Sequence, residues 1–298
     1  MKKLLLPAFI LFIFIVPAFT QAQNDAALRS RIDELAKPVK GIVGVSILNL
    51  ETGDTLSCNG KARLVLHSVM KFPIALTVLH LVDSGVFTLN QPIHINKRDL
   101  FKSPYSPLQQ KYPKGDLDIS VSELLSYMVS LSDNSACDIL LKKIGGAKVV
   151  QDYMLHIGIR GIAIRASEAD MASMWELQYT NWCKPVEMTE LLSRFYQDKI
   201  LPKALTDTLY KKLLETSTGP KRLKGLLPAG TEVAHKTGTS PTNAEGLSPA
   251  TNDVGIITLP NGKHLIISVF VCNSTSDEAT REGVIAEIAK AAFDYYSK

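Results

Sequence analysis

The sequence predicts an α/β protein of the α+β sandwich type, in which one antiparallel sheet of about five strands is built from both ends of the chain. Two observations carry this prediction. Apolar residues alternate with small or polar ones between 43 and 58 and again after 232, as in strands with one buried face. The long stretch between these regions spaces its apolar residues as helices do. An all-helical segment is therefore expected to be inserted between the two parts of the sheet.

Bulk composition is that of an ordinary globular protein. The chain has 298 residues, of which 46% are hydrophobic and 21% charged, with a net charge of +4. Such a chain can bury a sizeable core, in one large domain or in two that share a core. Its lysines and arginines are scattered among acidic residues, so the sequence gives no reason to expect a nucleic-acid partner.

The first residues have the three-part form of a secretory signal peptide. Lys2 and Lys3 precede an apolar run at 4–19, which is followed by Thr20-Gln21-Ala22. The alternative is a retained membrane anchor, but the run is shorter than the roughly 20 residues that a spanning helix needs. It also contains two prolines. We therefore expect a signal peptide at 1–22 and a mature protein that is soluble, exported to the periplasm and free of the membrane.

The first elements after this segment are a helix and a hairpin. Leu28, Ile32 and Leu35 give 26–36 a helical stripe. Strands follow at 43–50 and 55–58, joined by a turn at Thr52-Gly53-Asp54. A mostly apolar helix then runs from Ser68 to Asp83.

The remaining elements follow from the same patterns. A capping pattern at Ser120 and Glu123 starts one of the middle helices. The stretch 164–185 has no clean period and is expected to be a long loop, a feature that is usually functional in compact domains. Helices are predicted at 120–129, 134–143, 147–157, 187–198, 203–215 and 277–296, and strands at 232–239, 253–259 and 264–272. The predicted division is an α/β lobe of 23–64 and 216–298 and a helical lobe of 65–215.

A hydroxyl and an amine stand three residues apart at the start of the helix predicted from Ser68. Lys71 shares a helix face with Ser68, so its amine can reach the Ser68 hydroxyl. Unpaired N–H groups of a first turn favour an anion at the same place. Ser68 and Lys71 thus form a serine nucleophile that is activated without a histidine.

Two further motifs follow in order along the chain. Ser132-Asp133-Asn134 comes after a predicted helix, and Lys236-Thr237-Gly238 lies on a predicted strand. Alone, the first is most often a helix cap or turn and the second a strand end. Together with Ser68 and Lys71, they make the chain resemble the class A serine β-lactamases, which share this set with penicillin-binding proteins. The resemblance covers nearly the whole mature sequence and implies the serine β-lactamase/DD-peptidase fold.

The resemblance implies a role for each motif residue. Ser68 would attack the strained amide, with an oxyanion hole made by the backbone N–H groups of Ser68 and Thr239. Ser132 would pass a proton to the departing nitrogen. Lys71 and Lys236, if close, would ease the loss of a proton from one another, so that a neutral Lys71 could serve as base. Substrate contacts are implied for Tyr105, Asn134, Arg222, Thr237, Gly238 and Thr239.

Glu168 distinguishes the two families that share the three motifs. A lactamase needs a base that drives water onto the acyl ester, and Glu168 lies in the 164–185 loop where class A enzymes carry this glutamate. Asp170 is nearby, but the spacing from Ser68 and Ser132 favours Glu168. Whether Lys71 or Glu168 takes the proton in acylation stays open.

The loop departs from the common class A pattern at three positions. Ala172 stands where an asparagine usually helps to hold the water, and Ala166 and Asn181 replace the arginine and aspartate that clasp the loop. The PER-type extended-spectrum branch departs similarly. Likeness to that branch continues in the segments 218–230 and 240–251, of which the second could widen the site for bulky oxyimino cephalosporins.

These observations together predict an enzyme that hydrolyses penicillins and cephalosporins and so confers antibiotic resistance. A peptidoglycan DD-peptidase and a non-catalytic β-lactam sensor are the alternatives. A Ser-His-Asp hydrolase is disfavoured because no G-x-S-x-G occurs. By family likeness the protein is expected to be a monomer without a cofactor.

The cysteines and histidines give no metal-binding pattern. Cys58, Cys137, Cys183 and Cys272 are even in number, as disulfides would require, but they are widely spaced. Neither C-x-x-C nor a His/Cys cluster with ligand spacing occurs. No metal site is expected, a zinc lactamase is disfavoured, and disulfide pairing stays open.

Overall fold

The computed structural model describes residues 18–100 and 105–298. The predicted signal peptide therefore lies largely outside the described residues. Over the described residues the strands are β1 (Ile42–Asn49), β2 (Thr55–Cys58), β3 (Leu64–Val65), β4 (Pro92–Ile95), β5 (Leu117–Ser120), β6 (Ile162–Ala163), β7 (Trp182–Cys183), β8 (Val233–Thr239), β9 (Ser248–Thr258) and β10 (His264–Ser274).

Most helices lie between the N-terminal hairpin and β8. Over the same residues they are α1 (Ala18–Ala36), α2 (Lys71–Asp83), α3 (Pro107–Lys111), α4 (Val121–Ser130), α5 (Asn134–Lys143), α6 (Ala147–His156), α7 (Glu168–Ser173), α8 (Pro185–Tyr196), α9 (Lys203–Leu214) and α10 (Glu278–Tyr296). Three short 3₁₀ turns lie at His67–Met70, Lys97–Asp99 and Trp175–Thr180.

The main sheet is antiparallel and joins the two ends of the chain. Its strand order is β2-β1-β10-β9-β8. β1 pairs along its whole length with β10, from Ile42 opposite Cys272 to Asn49 opposite Leu265. The predicted sheet of about five strands, built from both termini, is confirmed.

Alternation along the sheet divides the apolar residues between two cores. On β10, Ile266 and Phe270 face the core that includes α2, α4 and α8. The intervening Ile267 and Val269 face the second core, with residues of α1 and α10. This is the period-2 alternation of a strand that is buried on both faces. The sheet thus lies between a pair of terminal helices and the larger helical part of the molecule.

Several predicted boundaries are wrong by a few residues. α2 begins at Lys71 and not at Ser68, which lies on a 3₁₀ turn. β9 begins at Ser248, so the segment expected to be a loop at 240–251 is a loop only as far as 247. Register with β10 explains the extension, since Thr251 and Ala250 pair opposite Val271 and Cys272.

The stretch at 164–185 is more ordered than the expected long loop. It contains α7, the 3₁₀ turn Trp175–Thr180 and β7. The short strand β7 pairs with both β3 and β6, which closes the stretch at its base. Elements of two to six residues are too short to show a hydrophobic period. We call residues 164–181 the active-site loop from here on.

Neither a membrane-spanning helix nor a division into lobes is established by the described residues. Within 18–100 and 105–298, no helix combines the length and apolar character needed to cross a bilayer. The division of the chain into lobes at residues 64 and 216 stays a proposal.

Candidate active site

Ser68 lies on the 3₁₀ turn that leads directly into α2. Its hydroxyl accepts a hydrogen bond from Lys71 Nζ at 2.9 Å, so the i, i+3 geometry expected from the sequence holds on the tighter turn. β8 passes close to this turn because residue 238 is glycine. A Cβ atom there would lie 2.5 Å from the Leu66 carbonyl oxygen. Gly238 therefore allows β8 to lie against the segment that carries Ser68.

Lys71 is fully buried and surrounded by oxygen atoms. Besides Ser68, its Nζ lies 2.8 Å from the Ser132 carbonyl oxygen, 2.6 Å from Asn134 Oδ1 and 2.8 Å from Glu168 Oε1. An ammonium group has donors only, and the acidic Glu168 supplies the opposite charge. The arrangement fits a charged Lys71 paired with an ionised Glu168.

Glu168 is the first residue of α7 and lies next to the nucleophile. Its Oε1 accepts a hydrogen bond from the Ser68 hydroxyl at 3.3 Å. Burial raises the pKa of Glu168, but the charge of Lys71 and the hydrogen bond from Lys71 outweigh it, so that the pKa lies below its ordinary value. Glu168 is therefore ionised at neutral pH and can accept a proton.

Asp138, which was not predicted as a site residue, holds the backbone of Glu168. The Asp138 carboxylate accepts the backbone N–H groups of Glu168 at 2.9 Å and of Ala169 at 2.8 Å, two of the unpaired donors of the first turn of α7. Burial raises the Asp138 pKa to about 6, against the two hydrogen bonds that lower it. Its position one helical turn after Asn134 was the signal available in the sequence.

Ser132 and Lys236 form the other side of the site. Lys236 Nζ donates to Ser132 Oγ at 2.8 Å and to the carbonyl oxygen of the next residue, Thr237, at 3.0 Å. Burial lowers the pKa of Lys236 well below its ordinary value, and the charge of Lys71 lowers it further. Ser132 itself has φ +56°, a left-handed conformation that is costly without glycine and is found at functional sites.

Asp133, between Ser132 and Asn134, has a structural task. Its buried carboxylate caps α5 by accepting the N–H of Ala136 at 2.8 Å, and it accepts that of Leu108 at 2.6 Å. The Ser106 hydroxyl donates to the same carboxylate and lies 3.0 and 3.1 Å from its two oxygens. Asp133 thus fixes the segment that carries Tyr105, which lines the site with 43% of its surface exposed.

Arg222 lies behind β8 and reaches the site through its neighbours. Its Nη2 donates to Thr239 Oγ1 at 2.8 Å and its Nη1 to the Gly238 carbonyl at 3.2 Å. Glu282 on α10 holds the guanidinium through Nε at 3.0 Å. Arg222 is only 3% exposed. Thr237 lines the cavity instead, with its hydroxyl 2.6 Å from that of Thr218.

Asn181 closes the base of the active-site loop without a salt bridge. Its Oδ1 accepts the N–H groups of Arg165 at 2.7 Å and Ala166 at 3.0 Å, and its Nδ2 donates to the Ala166 carbonyl at 2.8 Å. The side chain is fully buried. One amide thus performs by hydrogen bonds what the resemblance assigns to an arginine–aspartate pair, whose absence left the loop shape undecided.

A cavity of about 400 Å³ opens beside Ser68. Tyr105, Ser132, Asn134, Glu168, Thr237 and Thr239 line it together with Ser68. Lys71, Lys236 and Arg222 lie beneath this lining, and Ala172 contributes a methyl group to it. The structure therefore brings the residues named from the sequence into one site.

His67 and Gln178 also line this cavity and were missed as site residues. His67 Nε2 lies 3.0 Å from Gln178 Oε1, which joins the residue before Ser68 to the active-site loop. Burial lowers the pKa of His67 and outweighs the opposing charge of Glu168. His67 adopts φ +46°, a strained conformation that no sequence pattern signalled.

The chemistry available to this arrangement is acyl transfer. A hydroxyl lies between a cation and a carboxylate that can take its proton, and a second hydroxyl, on Ser132, contacts a buried amine. Within the part of the chain that the structure describes, no group of three or more His, Cys, Asp or Glu side chains is placed to bind a metal ion.

Comparison with known proteins agrees with this geometry. The model of the β-lactamase enzyme family matches residues 27–296. Beta-lactamase VEB-1 of Pseudomonas aeruginosa is 43% identical over 99% of this chain and 98% of its own, and the extended-spectrum β-lactamase PER-1 of the same organism is 38% identical over 94% and 91%.

A solved structure of a relative has the same fold. The crystal structure of a β-lactamase from Chitinophaga pinensis superposes with a TM-score of 0.88 at 47% identity and covers 90% of this chain and 98% of that one. The likeness therefore extends over nearly the whole sequence and over the fold. The chain belongs to the β-lactamase enzyme family, as a class A β-lactamase.

Proposed function

We propose that the enzyme hydrolyses the β-lactam amide of penicillins and cephalosporins, including oxyimino cephalosporins, through an acyl-Ser68 intermediate. The observation that carries this proposal is the position of the Ser68 hydroxyl, which contacts Lys71 Nζ at 2.9 Å and Glu168 Oε1 at 3.3 Å. One neighbour stabilises negative charge on the oxygen and the other accepts its proton.

In acylation, Ser68 Oγ attacks the β-lactam carbonyl carbon while its proton passes to Glu168. We favour Glu168 over Lys71 as the base because its carboxylate already accepts the Ser68 hydroxyl and its pKa is lowered. Backbone N–H groups of Ser68 and Thr239 stabilise the oxyanion. When the ring C–N bond breaks, Ser132 gives its proton to the nitrogen. The proton held by Glu168 then passes to Ser132 through Lys71, whose Nζ lies 2.8 Å from Glu168 Oε1, so that Glu168 is ionised again before deacylation.

In deacylation, Glu168 takes a proton from a water molecule whose oxygen attacks the acyl-Ser68 ester. The ester C–O bond breaks, Ser68 Oγ recovers the proton from Glu168, and the ring-opened acid leaves. The side chain of Ala172 supplies no polar atom for this water. We propose that Glu168 and Asn134 hold the water, since both side chains line the cavity beside Ser68.

Substrate contacts are assigned to the remaining lining. Asn134 would hold the side-chain amide, and Lys236, Thr237 and Gly238 would hold the ring carboxylate. Arg222 would act on the carboxylate through Thr239, which accepts its hydrogen bond. Tyr105 would form a wall of the site. Tyr105, Asn134 and Thr237 line the cavity, whereas Lys236 and Arg222 lie beneath its lining. The roles themselves follow the resemblance.

Use of oxyimino cephalosporins is supported by three observations. PER-1, a relative at 38% identity, is described as an extended-spectrum enzyme. The cavity, at about 400 Å³, is within the range of sites for drug-sized molecules. Ser240 and Pro241, at the start of the 240–247 loop, line its edge.

We further propose that the mature enzyme is a monomeric periplasmic protein, not bound to the membrane. The form of residues 1–22 supports export. In the periplasm the enzyme would destroy β-lactams before they reach their targets and so confer resistance.

Time-resolved intact mass of the mature protein, mixed with an oxyimino cephalosporin while the drug's absorbance is followed, tests the proposal. We expect an adduct that appears and clears while drug is consumed in large excess over protein. A Ser68→Ala variant should form no adduct and consume no drug. If one equivalent reacts and the adduct persists, the penicillin-binding or sensor alternative replaces the lactamase. If penicillins alone are consumed, the oxyimino assignment is wrong.

A further inference from the structure

One wall of the cavity beside Ser68 is apolar and comes from the active-site loop. Met171 and Ala172 on α7 and Trp175 on the following 3₁₀ turn line the cavity. We call these three residues the loop platform. Ala172 is exposed and Trp175 half-buried. Covering solvent-exposed apolar surface with an apolar ligand group is favourable, because it removes that surface from water. The platform therefore favours binding of an apolar ligand group.

Trp175 is held through its backbone. Gln178 Nε2 donates to the Trp175 carbonyl at 2.8 Å. Gln178 is 2% exposed, and its other amide atom contacts His67 Nε2 at 3.0 Å. The backbone of Trp175 is thus joined through Gln178 to the turn that carries Ser68. A segment held in place before the ligand arrives loses little entropy on binding.

The platform lies on one defined side of the nucleophile. Asn134 is on α5, and Asp138 of the same helix accepts the first two N–H groups of α7. The loop platform therefore adjoins Asn134, whereas Lys236 and Thr237 belong to β8. A β-lactam whose carboxylate lies against β8 and whose amide lies against Asn134 directs its acylamino side chain toward the platform.

We propose that Trp175 is a specificity-determining residue that recognises β-lactams with an aromatic acylamino side chain. This inference rests on the proposed β-lactamase function of the same site and adds the class of side chain that the site prefers. An aromatic group can lie against the indole in an offset or edge-to-face arrangement, which gives more than burial of area alone. Side chains without a ring, or substrates without a side chain, lose this contact.

Two penicillins separate the contribution of the side chain from that of the ring system. Benzylpenicillin carries a phenyl group, whereas 6-aminopenicillanic acid has the same bicyclic nucleus and no acyl side chain. In Trp175→Ala we expect the ratio of kcat/KM for benzylpenicillin to that for 6-aminopenicillanic acid to fall about tenfold, equivalent to about 1.4 kcal/mol. Trp175→Phe should retain most of the ratio.

The chain's other tryptophan provides a matched control. Trp182 packs against Arg63, 4.4 Å from its ring centroid, and is not part of the cavity lining. Trp182→Ala should leave the ratio unchanged. An unchanged ratio in Trp175→Ala, or an equal fall in Trp182→Ala, overturns the proposal. If wild-type enzyme turns over neither compound, the proposed function itself fails. If it turns over both and the ratio does not move, only the role of Trp175 fails.

Fluorescence supplies a readout that does not depend on turnover. In a protein with Ser68→Ala and Trp182→Phe, Trp175 is the single tryptophan, since the sequence has two. Saturable quenching by benzylpenicillin, much stronger than by 6-aminopenicillanic acid, is the expected result. Equal changes with the two compounds, including no change with either, overturn the contact between Trp175 and the side chain.

Discussion

Glu168 is the residue on which the proposed mechanism depends most, because its carboxylate is the base. It is buried, ion-paired with Lys71 at 2.8 Å and within reach of Ser68. Glu168→Gln keeps the shape but removes the base that both steps use, so we expect the acyl-enzyme to form and to clear more slowly and the steady-state rate to fall by about 10²-fold or more. Intact mass during turnover measures the adduct. Asp170→Asn is the control. An equal loss of rate in that variant would show that the assignment of Glu168 as the base is wrong.

Asp138 gives stability a pH dependence whose sign follows from its pKa of about 6, compared with 3.8 in an unfolded chain. The folded protein binds this proton more tightly, so the contribution of Asp138 to stability is largest below about pH 4 and falls as pH rises to about 6. Relative to wild type, the melting temperature of Asp138→Asn should rise between pH 4.5 and pH 7, by roughly 3 °C or more.

Differential scanning calorimetry across this pH range measures the effect of Asp138. The exposed Asp152, paired with Lys148 on the surface of α6, provides Asp152→Asn as control. Because the Asp152 carboxyl group faces solvent, this variant controls for the loss of an aspartate as such. If the melting temperature of Asp138→Asn differs from wild type by the same amount at every pH, the pKa of Asp138 is not perturbed.

At the scale of elements, the active-site loop depends on the amide of Asn181. An aspartate there would accept the N–H groups of Arg165 and Ala166 but could not donate to the Ala166 carbonyl. It would also bury a charge that no arginine compensates. We expect Asn181→Asp to lower the free energy of unfolding by about 3 kcal/mol and to slow deacylation. Urea unfolding and adduct lifetime measure the two effects.

A surface asparagine separates the buried charge from the chemical change. Asn90 is exposed, and Asn90→Asp should change the unfolding free energy by less than about 0.5 kcal/mol. If Asn181→Asp is as stable as wild type, the loop does not need the donated hydrogen bond, and the departure from the common class A pattern has another physical basis.

The sequence predicted those elements whose period or caps are local. α5 has the bounds expected, and Ser120 caps α4 by accepting the N–H of Glu123 at 3.1 Å. Elements that depend on distant partners were missed or shortened. β3, β6 and β7 have two residues each and exist because they pair with one another. β9 extends back to Ser248 because β10 supplies its partners.

The same division applies to the site. The motif residues were predictable because their chemistry recurs at fixed spacing. Asp138 and Gln178 act by contacts with segments 30 and 111 residues away. Neither the spacing nor the type of these residues predicts such long-range contacts from a single sequence. Left-handed conformations at His67 and Ser132 likewise depend on the surrounding packing.

At the scale of the whole molecule, the thiols are free and shielded. Cys58, Cys137, Cys183 and Cys272 form no disulfide, and burial raises the pKa of each, to about 11 for Cys58. Thiolate is the reactive form. Native enzyme at pH 8 should therefore resist iodoacetamide, and reductant should not change its melting temperature.

Mass spectrometry after unfolding completes this test. Without reductant, unfolded mature protein should take up one alkyl group on each of the four cysteines. Fewer adducts, restored to four by prior reduction, would reveal a disulfide. Rapid modification of the native protein at one site would show that this thiol is more accessible than its burial indicates.

The sheet order has a consequence for how the enzyme is made. β10, which pairs with both β1 and β9, leaves the ribosome after every other strand of the described residues. Ser68 is synthesised early, yet β1 and β8 cannot belong to one sheet until residues 264–274 are present. The growing chain therefore cannot form the complete site until β10 has been synthesised. A product truncated before β10 would carry every motif of the site without the strand that brings the two ends together.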